Sequence, residues 1–185
     1  MNSKMERFFV ALVVPSGFQE EVEQIKQEFS DRYQSRKAFN SPAHITLQPP
    51  FEWEPGNIQQ VEESLEDFVG NTFPIPIQLD GFAAFPPKVI YINVVKTPEL
   101  MALQSALIHH LQSTLPSIKR SSHPSFTPHV TVAFRDLTPK NFRQAWPNFE
   151  HRSFQGKFIA SSLTLLRHNG QRWQLFDEFP LPEEI

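Results

Sequence analysis

Runs of apolar residues along the chain predict several short strands. Residues 7–14 read "RFFVALVV" and end at Pro15, a pattern typical of a first strand. "HITLQ" predicts a short strand that stops at Pro49-Pro50. Residues 73–79 and 87–95 are also strand-like and flank "DGFAAFPP", and "HVTVAF" predicts one more strand.

Apolar residues at helical spacing predict four helices between these strands. The third has Thr97 as its N-cap and Pro98 in its first turn, and the fourth opens at Thr138-Pro139. The predicted helices cover residues 17–35, 57–70, 97–115 and 138–146.

The C-terminal segment, residues 154–181, predicts a hairpin of two strands around His168-Asn169-Gly170. The Asn-Gly pair there indicates a type I′ turn. The order of elements contains no Gly-rich loop of a nucleotide-binding parallel sheet. We therefore predict a mostly antiparallel α+β fold, with residues 1–185 forming one domain of two intimately packed lobes.

Composition narrows the classes of protein. The chain is 39% hydrophobic and 20% charged, enough for a core, and it has no Cys, which excludes disulfides, thiolate nucleophiles and zinc fingers. Its first apolar run is too short for a signal peptide or a membrane span, so we expect a soluble cytoplasmic protein.

The net charge is −3, and residues 93–185 carry ten basic against seven acidic side chains. An anionic ligand would therefore find more partners in the second half.

Two phrases of nearly the same form stand out, "PAHITL" and "TPHVTV". Alternate residues of a strand share a face, so His44 and Thr46 point one way, and His129 and Thr131 do the same in the second phrase. If the two faces meet, one imidazole can accept a proton while the other donates one. The two hydroxyls can hold the oxygens of a phosphate. No carboxylate lies inside either phrase, which favours chemistry without a metal.

The paired His-x-Thr phrases resemble the signature of the two-histidine (2H) phosphoesterase superfamily, in its 2′-5′ RNA ligase-like or RNA 2′,3′-cyclic phosphodiesterase branch. "RFFVALVVPSGFQEEVEQI", "FPPKVIYINV" and "SLTLLRHNGQRWQLFDEFPL" are similar to the family's opening, middle and closing segments. The resemblance implies a bilobal fold with pseudo-two-fold symmetry, in which two antiparallel sheets with flanking helices surround a central cleft.

The resemblance also implies roles. His44 and His129 are the acid–base pair, with His129 favoured as base and His44 as acid, and Thr46 and Thr131 hold the phosphate. Arg135 comes one residue later than the basic residue of many relatives. By strict alternation it shares the His129 face, where it suits a phosphate contact. No cofactor and no metal are implied.

Two aromatic residues are candidates for stacking on a nucleobase, Tyr91 in a strand and Phe51 in the loop expected after the two prolines.

We therefore expect a monomeric, metal-independent phosphodiesterase that opens a 2′,3′-cyclic phosphate, or a related cyclic or 2′-5′ linkage, on an RNA end or a small nucleotide. Ligase activity would be the same chemistry in reverse. Two alternatives remain: an RNA- or nucleotide-binding module without catalysis, and a hydrolase with a Ser or Thr nucleophile. The absence of a Gly-x-Ser-x-Gly turn lowers the last.

Overall fold

A computed structural model describes residues 5–119 and 125–183 of the chain. Within these ranges no helix combines the length and the apolar character needed to cross a bilayer. The described elements, in chain order, are β1 (Glu6–Val13), α1 (Ser16–Tyr33), β2 (His44–Trp53), α2 (Gln59–Val69), β3 (Ile75–Phe85), β4 (Val89–Val94), α3 (Pro98–Thr114), β5 (His129–Ala133), α4 (Pro139–Phe149), β6 (Gln155–Ala160), β7 (Ser162–His168) and β8 (Trp173–Pro180).

The strands form two four-stranded sheets in which every pairing is antiparallel. The first sheet has the order β2-β1-β7-β8 and the second has the order β5-β4-β3-β6. The prediction of an α+β fold with two antiparallel sheets is confirmed. The two His-x-Thr strands, β2 and β5, are both edge strands, and they approach each other where the sheets meet.

The two halves of the chain repeat one arrangement. The elements β1-α1-β2-α2 of the first half correspond to β4-α3-β5-α4 of the second, and each His-x-Thr strand pairs with the strand that precedes its helix. The helices then cross over, because α1 packs on β5 of the second sheet and α3 packs on β2 of the first. One cluster of buried side chains consequently contains residues from both sheets and all four helices.

The carboxylate of Asp136 ties the two halves together just after β5. Its Oδ1 accepts a hydrogen bond from Ser35 Oγ at 2.9 Å, and its Oδ2 accepts from the backbone N–H groups of Arg36 and Lys37 at 2.7 and 3.1 Å. The turn after α1 begins at Gln34, whose φ of 56° is left-handed. The end of one motif strand is therefore anchored to the segment that leads into the other.

The prediction that β2 stops at Pro49-Pro50 is wrong. The strand continues to Trp53, and its register shifts where Gln48 pairs with Val10 and Phe51 pairs with Phe8. The two prolines thus lie opposite a single residue of β1, in a β-bulge. Proline is tolerated there because an edge strand with a bulge does not need every backbone N–H for its ladder.

The strand predicted to end at residue 79 is longer than expected, since β3 extends to Phe85. A register shift between Leu79 and Phe82 absorbs the extra residue at Gly81, whose φ is 67°. Glycine adopts this left-handed conformation without the steric cost of a Cβ.

The C-terminal hairpin is formed by β7 and β8, but β6 belongs to the other sheet. The predicted type I′ turn is also wrong. The loop has four residues, 169–172, of which only Gly170 has a positive φ. The Asn169 side chain accepts hydrogen bonds from the backbone of Gln171 and Arg172, which stabilises a wider turn than the Asn-Gly pair alone predicts.

Helix α1 packs tightly on β6 at Gly156. A Cβ at this position would lie 2.5 Å from Cε1 and 2.9 Å from Cζ of Phe18. We expect Gly156→Ala to lower the free energy of unfolding by about 1 kcal/mol, because the half-buried ring of Phe18 must turn aside for the added methyl group. Urea denaturation measures this. Gly17→Ala is the control, since nothing lies within 4 Å of its Cβ position, and equal effects of the two substitutions would contradict the packing described.

Candidate active site

The two motif strands present their histidine and threonine side chains in the same way. In β2, Ile45 and Leu47 are buried while His44 and Thr46 are half-buried, and β5 repeats this alternation over its first four residues. The aliphatic face of each strand lies in the shared core. The predicted alternation is confirmed, and it leaves the imidazole and the hydroxyl of each strand on the opposite face.

Both imidazoles have the same hydrogen bond. His44 Nδ1 lies 2.7 Å from the carbonyl oxygen of Pro42, and His129 Nδ1 lies 2.7 Å from that of Thr127. A carbonyl can only accept, so in each ring Nδ1 carries the hydrogen. The Nε2 atom of each neutral ring is then an acceptor. Both histidines are therefore prepared to exchange a proton through Nε2.

Each imidazole also rests on an aromatic ring from a neighbouring strand. The ring of His44 lies 4.8 Å from that of Phe9, measured between centroids. The ring of His129 lies 5.0 Å from Tyr91 and 5.3 Å from Phe85. These contacts, together with the Nδ1 hydrogen bonds, restrict how either imidazole can rotate.

The surroundings of each imidazole disfavour its protonated, charged form. Burial lowers the pKa of His44 to about 4, opposed in part by the Pro42 carbonyl, and the nearby charges of Lys26 and His129 lower it further. Burial also lowers the pKa of His129, opposed by its hydrogen bond to Thr127. The charge of His129 also lowers the pKa of His44, as expected for side chains on two strands that contact each other. Both rings are consequently neutral at pH 7 in the free protein.

The two threonines lie beside the histidines on the same faces. Thr46 pairs with Ala11 across the first sheet, and Thr131 pairs with Tyr91 across the second. Neither hydroxyl has a side-chain hydrogen bond to another described residue. Both are therefore free to donate to a ligand placed between the strands.

Two residues of α1 that the sequence analysis missed hold the segment in front of His44. Lys26 is 1% exposed, and its Nζ donates to Ser41 O at 3.0 Å and to Glu23 Oε1 at 2.9 Å. The Gln19 amide donates to the carbonyl oxygen of Ala43 and accepts from its N–H. Helical spacing alone placed these residues on a helix, and only the tertiary structure brings them to the motif.

Arg135 lies elsewhere than strict alternation predicts. Strand β5 ends at Ala133, which is fully buried because a bulge interrupts the pairing of β5 with β4, and Arg135 follows with a φ of 59°. Its guanidinium lies 5.2 Å from the ring centroid of Phe134, and its charge acts on His168 in the first sheet. The argument that placed it on the His129 face therefore fails, and its phosphate contact stays a prediction without that support.

The two predicted stacking residues are both buried. Tyr91 is 5% exposed and packs between His129 and Phe85. Phe51 is 8% exposed and packs on Phe8 and Trp53, because β2 continues where a loop was expected. Their positions argue against direct contact with a base.

A ring that the sequence analysis did not single out is exposed at this site. Phe85 is 40% exposed and lines a cleft of about 810 Å³ together with Thr46, His129 and residues of α3. The sequence signal for it was weak, since a Phe before Pro86-Pro87 reads as part of a turn. Within residues 5–119 and 125–183, no three His, Asp or Glu side chains come together as a group that could hold a metal ion.

Comparisons with known proteins show which family this chain belongs to. A sequence model of the 2′-5′ RNA ligase superfamily matches residues 14–172. A Geobacillus thermodenitrificans protein named "Putative phosphoesterase" is 29% identical over 164 residues, which cover 83% of this chain and 88% of that protein. A Staphylococcus aureus protein of the same name is 25% identical over 176 residues, covering 93% and 97% of the two chains.

Solved structures share the fold at low sequence identity. TT0787 of Thermus thermophilus superposes with a TM-score of 0.70 at 17% identity, covering 97% of this chain and all of that one. Escherichia coli LigT complexed with 3′-AMP has a TM-score of 0.66 at 17% identity, with the same coverage. The fold and the family match agree, and the chain belongs to the 2′-5′ RNA ligase superfamily of 2H phosphoesterases.

Lys26 is expected to influence His44 through its charge and its hydrogen bond to Ser41. We expect Lys26→Met to raise the pKa of His44, because the substitution removes a nearby positive charge from a buried setting. NMR titration of the His44 ring measures the shift. Lys140→Met is the control, since this lysine is exposed on α4. A His44 pKa that changes equally in both variants would contradict the role of Lys26.

The lowered pKa of His44 also predicts a dependence of stability on pH. In the unfolded chain the imidazole titrates near its ordinary value of 6.5, so between pH 6.5 and about 4 the unfolded state binds more protons than the folded state. Stability therefore falls as the pH falls through this window. We expect His44→Gln to reduce this acid-induced loss of unfolding free energy by up to about 3 kcal/mol.

Urea denaturation at pH 6.5 and pH 4 measures that difference. His151→Gln is the matched control because its imidazole is exposed. If the wild-type protein and His44→Gln lose the same stability between these pH values, His44 is not protonated in the way described.

Proposed function

We propose that this protein is a metal-independent phosphodiesterase that hydrolyses a 2′,3′-cyclic phosphate on an RNA end or a nucleotide. The observation that carries the proposal is the matched pair of imidazoles, His44 and His129, each with Nδ1 bound to a carbonyl and Nε2 free. The ligands named for the LigT structures, 3′-AMP and ATP, support a nucleotide-sized substrate. The phosphoesterase names of the curated relatives agree with the reaction class.

In the proposed reaction, a water molecule attacks the phosphorus atom in line with the bond to one ribose oxygen. Nε2 of one histidine accepts a proton from the water as the new P–O bond forms. Nε2 of the other histidine, which is protonated, gives its proton to the departing ribose oxygen as the old P–O bond breaks. The products are a phosphomonoester and a free hydroxyl, and proton exchange with solvent restores both rings.

Thr46 and Thr131 donate hydrogen bonds to the two non-bridging oxygens in this proposal. These oxygens gain negative charge as the fifth bond to phosphorus forms, so donors placed there stabilise the transition state more than the ground state. The bound phosphate is itself an anion, and it raises the pKa of both imidazoles from their lowered values in the free protein. Substrate binding thereby favours the state with one protonated histidine.

The surroundings of each ring support one direction of proton transfer. Burial is the main factor that lowers the pKa of His44 to about 4, and the charge of Lys26 lowers it further. Burial also lowers the pKa of His129, but no cation of the described residues adds to that effect. His129 therefore takes the shared proton first. We assign His44 as the base and His129 as the acid, which reverses the order favoured from the family resemblance.

Ligation that forms a 2′-5′ bond would use the same two histidines in the reverse direction, and the superfamily takes its name from that activity. Because water is the solvent and is present in large excess, hydrolysis is the favoured direction. The proposal therefore names hydrolysis as the principal reaction.

The first experiment measures hydrolysis of 2′,3′-cyclic AMP by the wild-type protein with EDTA present. We expect turnover to survive EDTA and to fall about 10²–10⁴-fold in His44→Ala and in His129→Ala, because each removes a proton-transfer group. Thr46→Val and Thr131→Val keep the shape and remove the hydroxyl, and we expect smaller losses. Activity that requires a metal, or that survives both histidine substitutions, would refute the mechanism.

A second substrate tests the direction of proton transfer. A phosphodiester with a p-nitrophenolate leaving group needs no acid, because the departing anion is already stable. We expect His129→Ala to retain much more of the wild-type rate on this substrate than His44→Ala does. The opposite ranking would restore His129 as the base.

A further inference from the structure

A row of ring contacts runs across the first sheet from His44. The ring of Phe9 lies 4.8 Å from that of His44 and 4.6 Å from that of Trp173, measured between centroids. The ring of His168 follows at 4.9 Å from Trp173. None of the three residues beyond His44 lines the cleft beside His129. The row therefore leads from the candidate active site to a separate part of the protein surface.

Strand pairing explains why side chains from three strands meet at the end of this row. Phe9 pairs with Leu166, and His168 pairs with Trp173. Arg7 comes two residues before Phe9, and His168 comes two residues after Leu166, so both point to the face that carries these rings. The guanidinium of Arg7 lies 5.5 Å from the ring centroid of Trp173. The surface made of Arg7, His168 and Trp173 is the basic face.

The positive charges of the basic face have no counter-ion among the described residues. Burial lowers the pKa of His168, and the charges of Arg7 and Arg135 lower it further. Both guanidinium groups are exposed, and neither forms an ion pair with a described carboxylate. Glu6, the neighbour of Arg7, pairs with Arg167 instead. Like charges that share a surface without a carboxylate favour an anionic ligand.

His168 contributes a hydrogen-bond donor to the basic face. Its Nδ1 accepts from the backbone N–H of Gly170 at 3.1 Å, so the hydrogen of the neutral ring is on Nε2. The tautomer is the opposite of that in His44 and His129, whose Nδ1 atoms carry the hydrogen. Neutral His168 cannot accept a proton at Nε2, but it can donate a hydrogen bond there. The ring is therefore suited to bind an anion and not to act as a base.

A phosphate group matches these donors, and it is not the phosphate that would react. A guanidinium can bind two phosphate oxygens at once, and an imidazole N–H can bind another. The rings of Phe9 and Trp173 separate His168 from His44, so an anion at the basic face is a different group from one at the catalytic pair. The continuous row of rings still places both groups along one surface, where one substrate can reach both.

We propose that Arg7, Arg135 and His168 form a second phosphate subsite, which holds a further phosphate of the substrate whose cyclic phosphate lies between His44 and His129. This inference rests on the proposed function, and it makes a substrate with two phosphate groups preferred over a substrate with one. In a nucleoside 2′,3′-cyclic phosphate the further group is on the 5′ oxygen. It is either a terminal phosphate or the link to the next nucleotide of a strand.

The test compares three substrates that differ only at the 5′ oxygen of adenosine 2′,3′-cyclic phosphate, which carries a hydrogen, a phosphate or a methyl phosphate. The methyl phosphate imitates the link to a neighbouring nucleotide without its base. We expect either phosphate to lower KM about 3- to 10-fold, between the effects of an exposed ion pair and of a charge-assisted hydrogen bond. A lower KM with one of the two supports the subsite and identifies the source of the phosphate. Three equal KM values would overturn the proposal.

Arg7→Gln removes one charge from the basic face. We expect it to raise KM about 3- to 10-fold for the substrates that carry a 5′ phosphate, and to leave KM for the 5′-hydroxyl substrate within about twofold. Arg7→Lys keeps the charge and should retain part of the preference. Arg143→Gln is the matched control, since this arginine is exposed on α4. An Arg7→Gln protein that loses affinity for all three substrates equally, or for none, would contradict the subsite.

Two further variants test the other donors. His168→Asn keeps a side-chain acceptor for the N–H of Gly170 and removes the Nε2 donor, so we expect a weaker preference for a 5′ phosphate. The double variant Arg7→Gln/Arg135→Gln should bring the three KM values together. Added salt should narrow the wild-type preference as well, because it screens exposed charges. A preference that survives in the double variant would overturn the proposal.

Equilibrium binding separates the failure of this inference from the failure of the proposed function. Calorimetry compares 3′-AMP with adenosine 3′,5′-bisphosphate, which differ only in the 5′ phosphate. We expect the wild-type protein and Arg143→Gln to bind the bisphosphate more tightly, and Arg7→Gln to bind both ligands about equally. If this pattern is found but no cyclic phosphate is hydrolysed, the subsite stands and the proposed function fails. If cyclic phosphate is hydrolysed but neither binding nor KM depends on the 5′ phosphate, the function stands and the subsite fails.

Discussion

The arrangement of the site depends on one constraint, the burial of the aliphatic face of each motif strand in a shared core. Ile45, Leu47, Val130 and Val132 are all essentially inaccessible to solvent. Full burial of such a side chain is worth about 1.5–3 kcal/mol, so the four together contribute about 6–12 kcal/mol. A slip of either strand by one residue would exchange its aliphatic residues for His and Thr. Since each strand contributes two of these side chains, a slip of one strand would lose about 3–6 kcal/mol from a domain that is stable by only about 5–15 kcal/mol. The observed register is therefore strongly favoured, and it leaves each imidazole on the face opposite the core.

The crossing of the helices turns two equivalent halves into one site. Each sheet is covered in part by a helix from the other half, so neither motif strand can be packed without the other half present. Asp136 adds a polar connection between the end of β5 and the turn that precedes β2. The two edge strands are thereby held next to each other. An edge strand also leaves one side of its backbone without a strand partner, which gives a ligand room to approach.

The same fold makes the two histidines alike in geometry and different in electrostatics. Both use Nδ1 to bind the carbonyl two residues earlier, a local interaction that each motif repeats. Lys26, by contrast, lies close only to the first motif, where it is buried and bound to Ser41 and Glu23. Burial is the main reason for the low pKa of His44, and the charge of Lys26 lowers that pKa further. Symmetry therefore supplies two proton carriers, and burial together with one lysine of α1 makes them unequal.

The local sequence was sufficient to predict the features of the fold that depend only on residues close together in the chain. Alternation predicted which side chains of β2 and β5 share a face, and helical spacing with the Thr97 and Thr138 caps predicted α3 and the start of α4. The errors in strand length and in the direction of Arg135 fell at bulges. The strand β2 continues through two prolines, β3 continues past Gly81, and a bulge in β5 separates Arg135 from the His129 face. A bulge adds one residue on one strand only, and its position depends on a partner strand that is often far away in sequence.

The sequence by itself determined the two His-x-Thr phrases, the faces on which their side chains lie, and the α+β class, because strand alternation and amphipathic spacing are local properties. Only the tertiary structure decided that β2 and β5 are neighbouring edge strands, that the charge of Lys26 acts on His44, and that Phe85 is exposed while Tyr91 and Phe51 are buried. Those features arise from packing between segments that are distant along the chain. Such contacts are selected by the free energy of the whole core, which no single stretch of residues contains.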